Sequence, residues 1–306
     1  MILLAGGTGT LGTRLLPLLT ARGLDVRILT RDAQRAGHLR AESVQVVEGD
    51  VVDGVGLATA TEGVQTVISA VHGFDGSGRY NPQTVDRSGN GKLIEAAKQA
   101  GVNHFVLVSI HGAGPNHPIE LFRMKYEAEQ QLRSSGLTWT IIRPAAYMET
   151  WTRLLGEPLI KTGKTMIFGP GTRPINFVSA DDVARFIELA VVDPSLRGAA
   201  IEVGGPENLN FNRLVEIFEA VTGASGTKKH LPLPVMRATS ILARPFNPVL
   251  ARHARAGVIM NTRDSSMDVS STTRQYPSIE LTSFADVLRR EYGHQNRGLA
   301  GAPAVA

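Results

Sequence analysis

The chain has 306 residues, a formal net charge of +4, and 42% hydrophobic against 20% charged residues. That balance suits a globular core. An excess of four charges with no lysine- or arginine-rich block argues against a nucleic-acid partner. The absence of cysteine removes disulfides, thiolate catalysis and cysteine-ligated zinc, and fits a reducing cytoplasm.

The opening MILLAGGTG has an apolar run too short for a signal peptide or a membrane span and reads as a buried strand. Short β-rich runs follow at 26–30, 44–48, 64–70 and 104–108, separated by helical stretches at 11–22, 33–40, 54–61 and 87–101. Strands made almost wholly of Val, Ile and Leu are covered on both faces, which predicts a parallel sheet with helices above and below. A helix is expected over 118–134 and a strand over 138–143. A short strand at 176–178 precedes a helix over 180–192, and a strand at 201–203 precedes a helix over 212–222. Residues 231–255 are apolar but dotted with Arg237, Arg244, Arg252 and Arg255, and read as one or two amphipathic helices over a substrate cleft. A last helix covers 284–292, and the small-residue tail 294–306 is expected to be disordered. The expected architecture is a Rossmann-type doubly wound α/β sheet in one domain, 1–293. Its core covers about 1–150, and a C-terminal substrate lobe covers about 151–293.

The strongest local signal is Gly6-Gly7-Thr8-Gly9-Thr10-Leu11-Gly12, directly after the first strand and opening the first helix. Glycines there permit a tight turn, close approach of a pyrophosphate, and close packing of helix on strand. The phosphates then meet the positive end of the helix dipole. An NAD enzyme would carry an acid at the end of the second strand. Here the sequence reads Thr30-Arg31-Asp32, with Arg35 one turn later. A guanidinium pairs with a 2′-phosphate, so NADP(H) is favoured over NAD(H), although Asp32 would serve a ribose if the loop shifted by one residue. Asp50 and Val51 after the third strand, and Ser69, Ala70 and Val71 after the fourth, fall where a dinucleotide lies in such sheets. Asp181-Asp182 reads as the charged first turn of a helix, and the histidines show no ligand spacing, so no metal site is expected.

Taken together, GGTGTLG, TRD, Gly49-Asp50, HFVLVS, the stretch from Lys125 to SGLTWTIIRP, INFVSADDVA and EVGGPENLNFNRLVEIFEAVTG resemble the atypical short-chain dehydrogenases/reductases. The resemblance is strongest to their NmrA-like, isoflavone-reductase-like branch and spans about residues 1–223. It implies a nicotinamide cofactor, with Ser109, Lys125 and Pro144 joining the contacts above, and hydride transfer to a small acceptor. Well-known members pair a tyrosine with a lysine four residues on. This chain matches the lysine with Lys125 but has Leu121 in place of the tyrosine, and Tyr126 points about 100° away from Lys125 on a helix. Lys125, His111 and Tyr147 are therefore the candidates for polar chemistry. The expected substrate pocket comprises His111, Tyr147, Met148, Trp151 and Phe168.

These residues predict an NADPH-dependent oxidoreductase acting on a small apolar quinone, carbonyl or conjugated acceptor. A quinone suits the missing tyrosine, because its reduction leans less on a positioned acid. A non-enzymatic NADP(H)-sensing regulator is the alternative. A membrane-peripheral role resting on the arginines beside Ile241–Leu242 and Val249–Leu250 is the third reading. Monomer and homodimer are both compatible with the sequence.

Overall fold

The computed structural model describes residues 1–34 and 36–293, so Arg35 and the tail 294–306 lie outside the described residues. The chain opens with β1 (Ile2–Ala5), α1 (Thr10–Ala21), β2 (Val26–Thr30), β3 (Val44–Glu48), α2 (Leu57–Thr61) and β4 (Thr66–Ser69). A π-type turn over Pro82–Gly89 leads into α3 (Asn90–Gln99). Next come β5 (His104–Val108), α4 (Glu120–Ser134) and β6 (Trp139–Pro144). After β7 (Ala146–Tyr147), α5 (Met148–Trp151), α6 (Glu157–Thr162), β8 (Lys164–Phe168) and β9 (Ile175–Val178), the chain forms α7 (Ala180–Val192) and β10 (Ala200–Val203). It finishes with β11 (Asn208–Leu209), α8 (Phe211–Thr222), β12 (Thr227–Leu231), α9 (Leu233–Leu242), α10 (Pro248–Thr262), α11 (Ser270–Gln275) and α12 (Phe284–Tyr292).

Two compact units result. The first holds Met1–Pro144 and Ala180–Val203, and the second holds Ala145–Ser179 together with residues from Gly204 on. The first unit is a seven-stranded sheet in the order β10-β6-β5-β4-β1-β2-β3, with every neighbouring pair parallel. This is the doubly wound α/β sheet that the run of short apolar strands predicts. Strand β1 sits between β2 and β4, so the chain reverses its direction of travel across the sheet there. Ligands of such sheets bind at that reversal, outside the strands' carboxyl ends. Central strands β1, β4 and β5 are buried at every position, whereas edge strand β3 alternates.

The helix expected over 33–40 is reduced to a short 3-10 turn at Gly37–Leu39, with Gly37 breaking any helical run. The helix expected over 54–61 begins only at Leu57, because Gly54 and Gly56 take φ values of 89° and 75°, outside helical space. In the second unit β12 pairs in parallel with β8, and β9 lies between β11 and β7. Strands β8 and β12 are not anticipated by the sequence pattern, since TKKHL carries almost no apolar face. The apolar stretch 231–255 resolves into β12's last residue and the two helices α9 and α10.

At the amino end of β5, His104 is buried, with Nε2 2.9 Å from Thr140 Oγ1 and Nδ1 2.6 Å from Arg197 Nη1. Thr140 donates its own proton to Leu196 O, so its oxygen accepts from Nε2–H, and the guanidinium donates to Nδ1. Both ring nitrogens are satisfied by a neutral imidazole. Burial, with the Arg197 charge added, pushes the His104 pKa down from 6.5 to about 3. Below its ordinary value the unfolded chain takes a proton that the folded chain refuses, so this contribution is lost as pH falls from 6.5 towards 3. His104→Gln should flatten that dependence. Between pH ~7 and ~5 the wild type should lose about 2 kcal/mol more than the variant in denaturant unfolding, and equal losses would contradict the burial argument.

Candidate active site

The turn between β1 and α1 is built almost without side chains. Gly6 takes φ 95°, and a Cβ there would lie 2.7 Å from Ala70 O in the loop after β4. A Cβ on Gly12 would collide with Gly6 O and lie 2.5 Å from Gly7 Cα, so only glycine lets α1 start this close to β1. Gly9 is the N-cap residue of α1, with no side-chain cap bond, and the first turn carries no acid. A Cβ on Gly9 would meet only Gly6 O, at 3.4 Å, an ordinary contact. A helix start whose N-cap residue supplies no side-chain cap and whose first turn carries no acid is chemically suited to a diphosphate. Thr8 is exposed beside it, and Thr10 and Leu11 form the first helical turn.

At the adenosine end of such a ligand, the Asp32 N–H donates to Thr30 Oγ1 at 3.3 Å, closing a small turn that presents Arg31. The Arg31 guanidinium lies 4.3 Å above the ring of Tyr80, and Arg79 packs at 5.0 Å from the same ring. Arg79 Nη2 donates to Asp50 Oδ2 at 2.7 Å and Asp53 Oδ2 at 2.9 Å, while Tyr80 Oη donates to Asp50 Oδ2 at 2.7 Å. Asp50 Oδ1 accepts from Val52 N at 2.9 Å. The Asp53 carboxyl is held below the usual range by the Val55 N–H and then by Arg79. Arg79 and Tyr80 are not among the residues the sequence singles out, since the long loop between β4 and α3 has no motif to place it beside Asp50. Val51 is buried beneath Gly89, where a Cβ would lie 2.9 Å from Val51 Cγ2.

Deeper along the strand ends, Ser69 Oγ donates to Asn90 Oδ1 at 2.6 Å, and Asn90 Nδ2 donates to Asp86 O at 2.7 Å. Lys125 is buried, donating from Nζ to Val71 O at 2.8 Å and Val108 O at 2.9 Å. The same ammonium makes an ion pair with fully buried Asp86 Oδ1 at 3.1 Å, and Asp86 Oδ2 accepts from Gly73 N at 2.8 Å. The expected ribose contact of Lys125 would have to displace one of these partners. In this arrangement the lysine ties the loops after β4 and β5 to the π-type turn that carries Asp86.

A second charge cluster crosses the sheet at its other half. Glu202 on β10 and Arg143 on β6 face each other in register, and Arg143 Nη1 donates to Glu202 Oε1 at 3.0 Å. Arg143 also grips Glu129 of α4, with Nε to Oε1 at 2.9 Å and Nη2 to Oε2 at 2.5 Å. Ser109 Oγ donates to Glu129 Oε1 at 2.5 Å, so that hydroxyl is directed inward. His111, just past β5, donates its backbone N–H to Pro144 O at 2.8 Å and sets Nδ1 2.7 Å from Glu202 Oε2. Burial raises the Glu202 carboxyl, but its bonds to His111 and Arg143 outweigh burial and hold it below the usual carboxylate range. Arg143, Glu129 and Glu202 escape a motif search because they lie on three elements. The available signal is a charge inside each of two otherwise apolar strands, WTIIRP and AIEV.

The remaining candidates belong to the second unit. Met148 is fully buried there, and Trp151 packs at 4.5 Å from the Phe211 ring and 6.1 Å from those of Phe168 and Phe177. Desolvation, with the Glu149 charge added, pushes the Tyr147 phenol up, which keeps it protonated. Among the described residues no group of three or more His, Cys, Asp or Glu side chains is placed to hold a metal.

Residues 1–271 match the NmrA-like family. The chain belongs to that family. The NAD(P)H azoreductase of Xenophilus azovorans is 32% identical over 226 residues, covering 74% of each chain. The photosystem II assembly factor Ycf39 of Guillardia theta is 25% identical over 307 residues, covering 97% of this chain and 96% of that one. Among solved structures, the NADPH-dependent quinone oxidoreductase QOR2 of Escherichia coli, complexed with NADPH, has the same fold. It superposes with a TM-score of 0.77 at 20% identity, covering 95% of this chain and all of that one. This NmrA-like chain therefore shares its fold with proteins of differing roles, and the chemistry rests on its own residues.

Removing the lysine of the buried pair leaves an uncompensated carboxylate. Lys125→Met should cost about 3–5 kcal/mol in denaturant unfolding, and adding Asp86→Asn should recover a large part of it. Wild-type stability in the single variant would mean that the pair holds nothing together.

Proposed function

We propose that the protein is an NAD(P)H-dependent reductase, preferring NADP(H), that delivers a hydride to a small apolar quinone, carbonyl or other conjugated acceptor. One observation carries this reading. His111 stands on the same carboxyl edge of the sheet as the glycine turn, tethered through Nδ1 to Glu202. That tether fixes the tautomer with a proton on Nδ1 and leaves Nε2 as the ring nitrogen that would meet an acceptor. The reductases among the relatives, an azoreductase by name and a quinone oxidoreductase by fold, support the same reaction class.

A bound reduced nicotinamide supplies the hydride. The glycine turn and the α1 amino end would hold the diphosphate, and Arg31 would pair with a 2′-phosphate. The His111 imidazolium gives its Nε2 proton to the acceptor oxygen or nitrogen as negative charge gathers there. Glu202 steadies the cation before transfer and keeps the second proton on Nδ1 afterwards. Arg143 fixes Glu202 from its other oxygen and so acts as a positioning residue, as does Lys125 through the strand-end loops.

The alternative, an NADP(H)-sensing protein without turnover, is favoured by one fact. The Lys125 ammonium and the Ser109 hydroxyl are both spent inside the protein.

His111→Gln should lower kcat for a quinone or carbonyl acceptor by about 10²–10⁴ while NADPH affinity stays within about twofold. Turnover at the wild-type rate would remove His111 as the donor. A wild type that binds NADPH yet reduces nothing in an acceptor panel would decide for the sensor. Arg31→Ala should weaken NADPH binding about 10- to 100-fold and leave NADH unchanged in calorimetric titration. Equal losses for both nucleotides would contradict the 2′-phosphate contact.

A further inference from the structure

Between Glu219 and Asp264 the chain has no acidic residue and seven lysines and arginines. This stretch contains the helical hairpin of α9 and α10. The two helices close on each other where fully buried Met236 meets Gly257, a position where a Cβ would collide with the methionine methyl group. Their connecting turn is braced. Phe246 N and Asn247 N donate to Ala243 O at 3.1 and 2.7 Å, and Asn247 Oδ1 accepts from Leu250 N at 3.0 Å to cap α10. On this turn and on the helix ends beside it four large apolar side chains face solvent: Ile241 at 70%, Leu242 at 71%, Phe246 at 88% and Leu250 at 48% exposure. Arg237 and Arg244 are exposed on the same hairpin.

Single exposed hydrophobics are ordinary, but four at one end of a hairpin make a patch that calls for a partner. The geometry points to a membrane-docking tip. Ile241, Leu242, Phe246 and Leu250 enter the boundary between headgroups and acyl chains of an anionic bilayer, and Arg237 and Arg244 pair with lipid phosphates. Three observations select this occupant. The exposed Arg237 and Arg244, with no acidic residue anywhere on the hairpin, favour a negatively charged surface and disfavour a second copy of the same hairpin. Exposures of 70–88% at Ile241, Leu242 and Phe246 describe side chains that stand away from the fold, which suits insertion into a deformable medium better than docking on a flat protein face. Aromatic and aliphatic residues flanked by arginine are the composition of interfacial anchors. Among the described residues no helix is long and apolar enough to cross a membrane, so the attachment is peripheral.

The test is flotation of the full chain with vesicles, independent of any turnover assay. Vesicles with about one-third phosphatidylglycerol in phosphatidylcholine should carry the wild type, pure phosphatidylcholine should carry far less, and added salt should weaken the binding. Leu242→Ser with Phe246→Ser should bind at least about tenfold more weakly at an unchanged melting temperature, since both side chains are already in water. Arg237→Glu with Arg244→Glu should abolish the preference for the anionic vesicles. Equal partitioning of the wild type onto both vesicle types, or serine variants that float like the wild type, would overturn the proposal. A wild type that ignores vesicles but self-associates through the tip, with the serine variants monomeric in sedimentation, would overturn it in favour of a dimer contact.

Discussion

A diphosphate is well held by backbone donors that a helix leaves without internal partners and that the fold keeps still. The junction of β1 and α1 meets that condition by leaving side chains out. Gly12 brings the first turn of α1 against the Gly6–Gly7 backbone, and Gly6 sits against Ala70 O, so the turn, the helix start and the loop after β4 are locked together. Gly9 then leaves the helix amino end uncapped. The position of β1 at the reversal of strand order sets this junction in the crevice that the parallel sheet opens at its carboxyl edge. Arg31, Asp50, Lys125 and His111 all lie at or bond to the carboxyl ends of strands of this same sheet.

Two charge clusters hold the edge in shape, and they differ in what they leave available. Lys125 and Asp86 are both out of water, with the ammonium divided among a carboxylate and two backbone carbonyls. Such a pair contributes geometry more than net stability, because desolvation offsets much of the Coulomb gain. The Glu129–Arg143–Glu202–His111 chain ends differently, on a half-exposed imidazole with one nitrogen anchored. The permanently charged Arg143 guanidinium, gripping both carboxylates, fixes Glu202 and through it the imidazole. In the proposed reaction this imidazole, on a loop instead of on α4, takes the part of the missing tyrosine.

Much of the fold was legible in the sequence because it rests on periodicity and punctuation. Apolar strands, glycine turns and helix caps are local signals, and β1, β2, β3 and β5 fall where the residues say. The first unit's recovery of residues 180–203 was not legible, since nothing local distinguishes a strand that rejoins the sheet, such as β10, from one that does not, such as β9. Glycines at 54 and 56 shortened a helix for a backbone reason that the apolar pattern hides. In the site, the glycine turn and Arg31 were readable from a known arrangement, whereas Arg79, Tyr80, Asp86, Glu129 and Glu202 depend on pairings across 14 to 59 positions and beyond. A charge inside an otherwise apolar strand was the available clue to Glu202 and to its partner Arg143.

The central claim is that the uncapped amino end of α1 binds the diphosphate of a nicotinamide dinucleotide, and Gly9→Asp tests it most directly. An aspartate there meets no backbone clash, takes the N-cap role that glycine leaves empty, and puts a negative charge where the phosphates belong. The account predicts a variant that melts at or above the wild-type temperature and binds NADPH at least about 100-fold more weakly in calorimetric titration. A wild type with no affinity for NADPH, or a folded Gly9→Asp variant that binds it as tightly as the wild type, would contradict it.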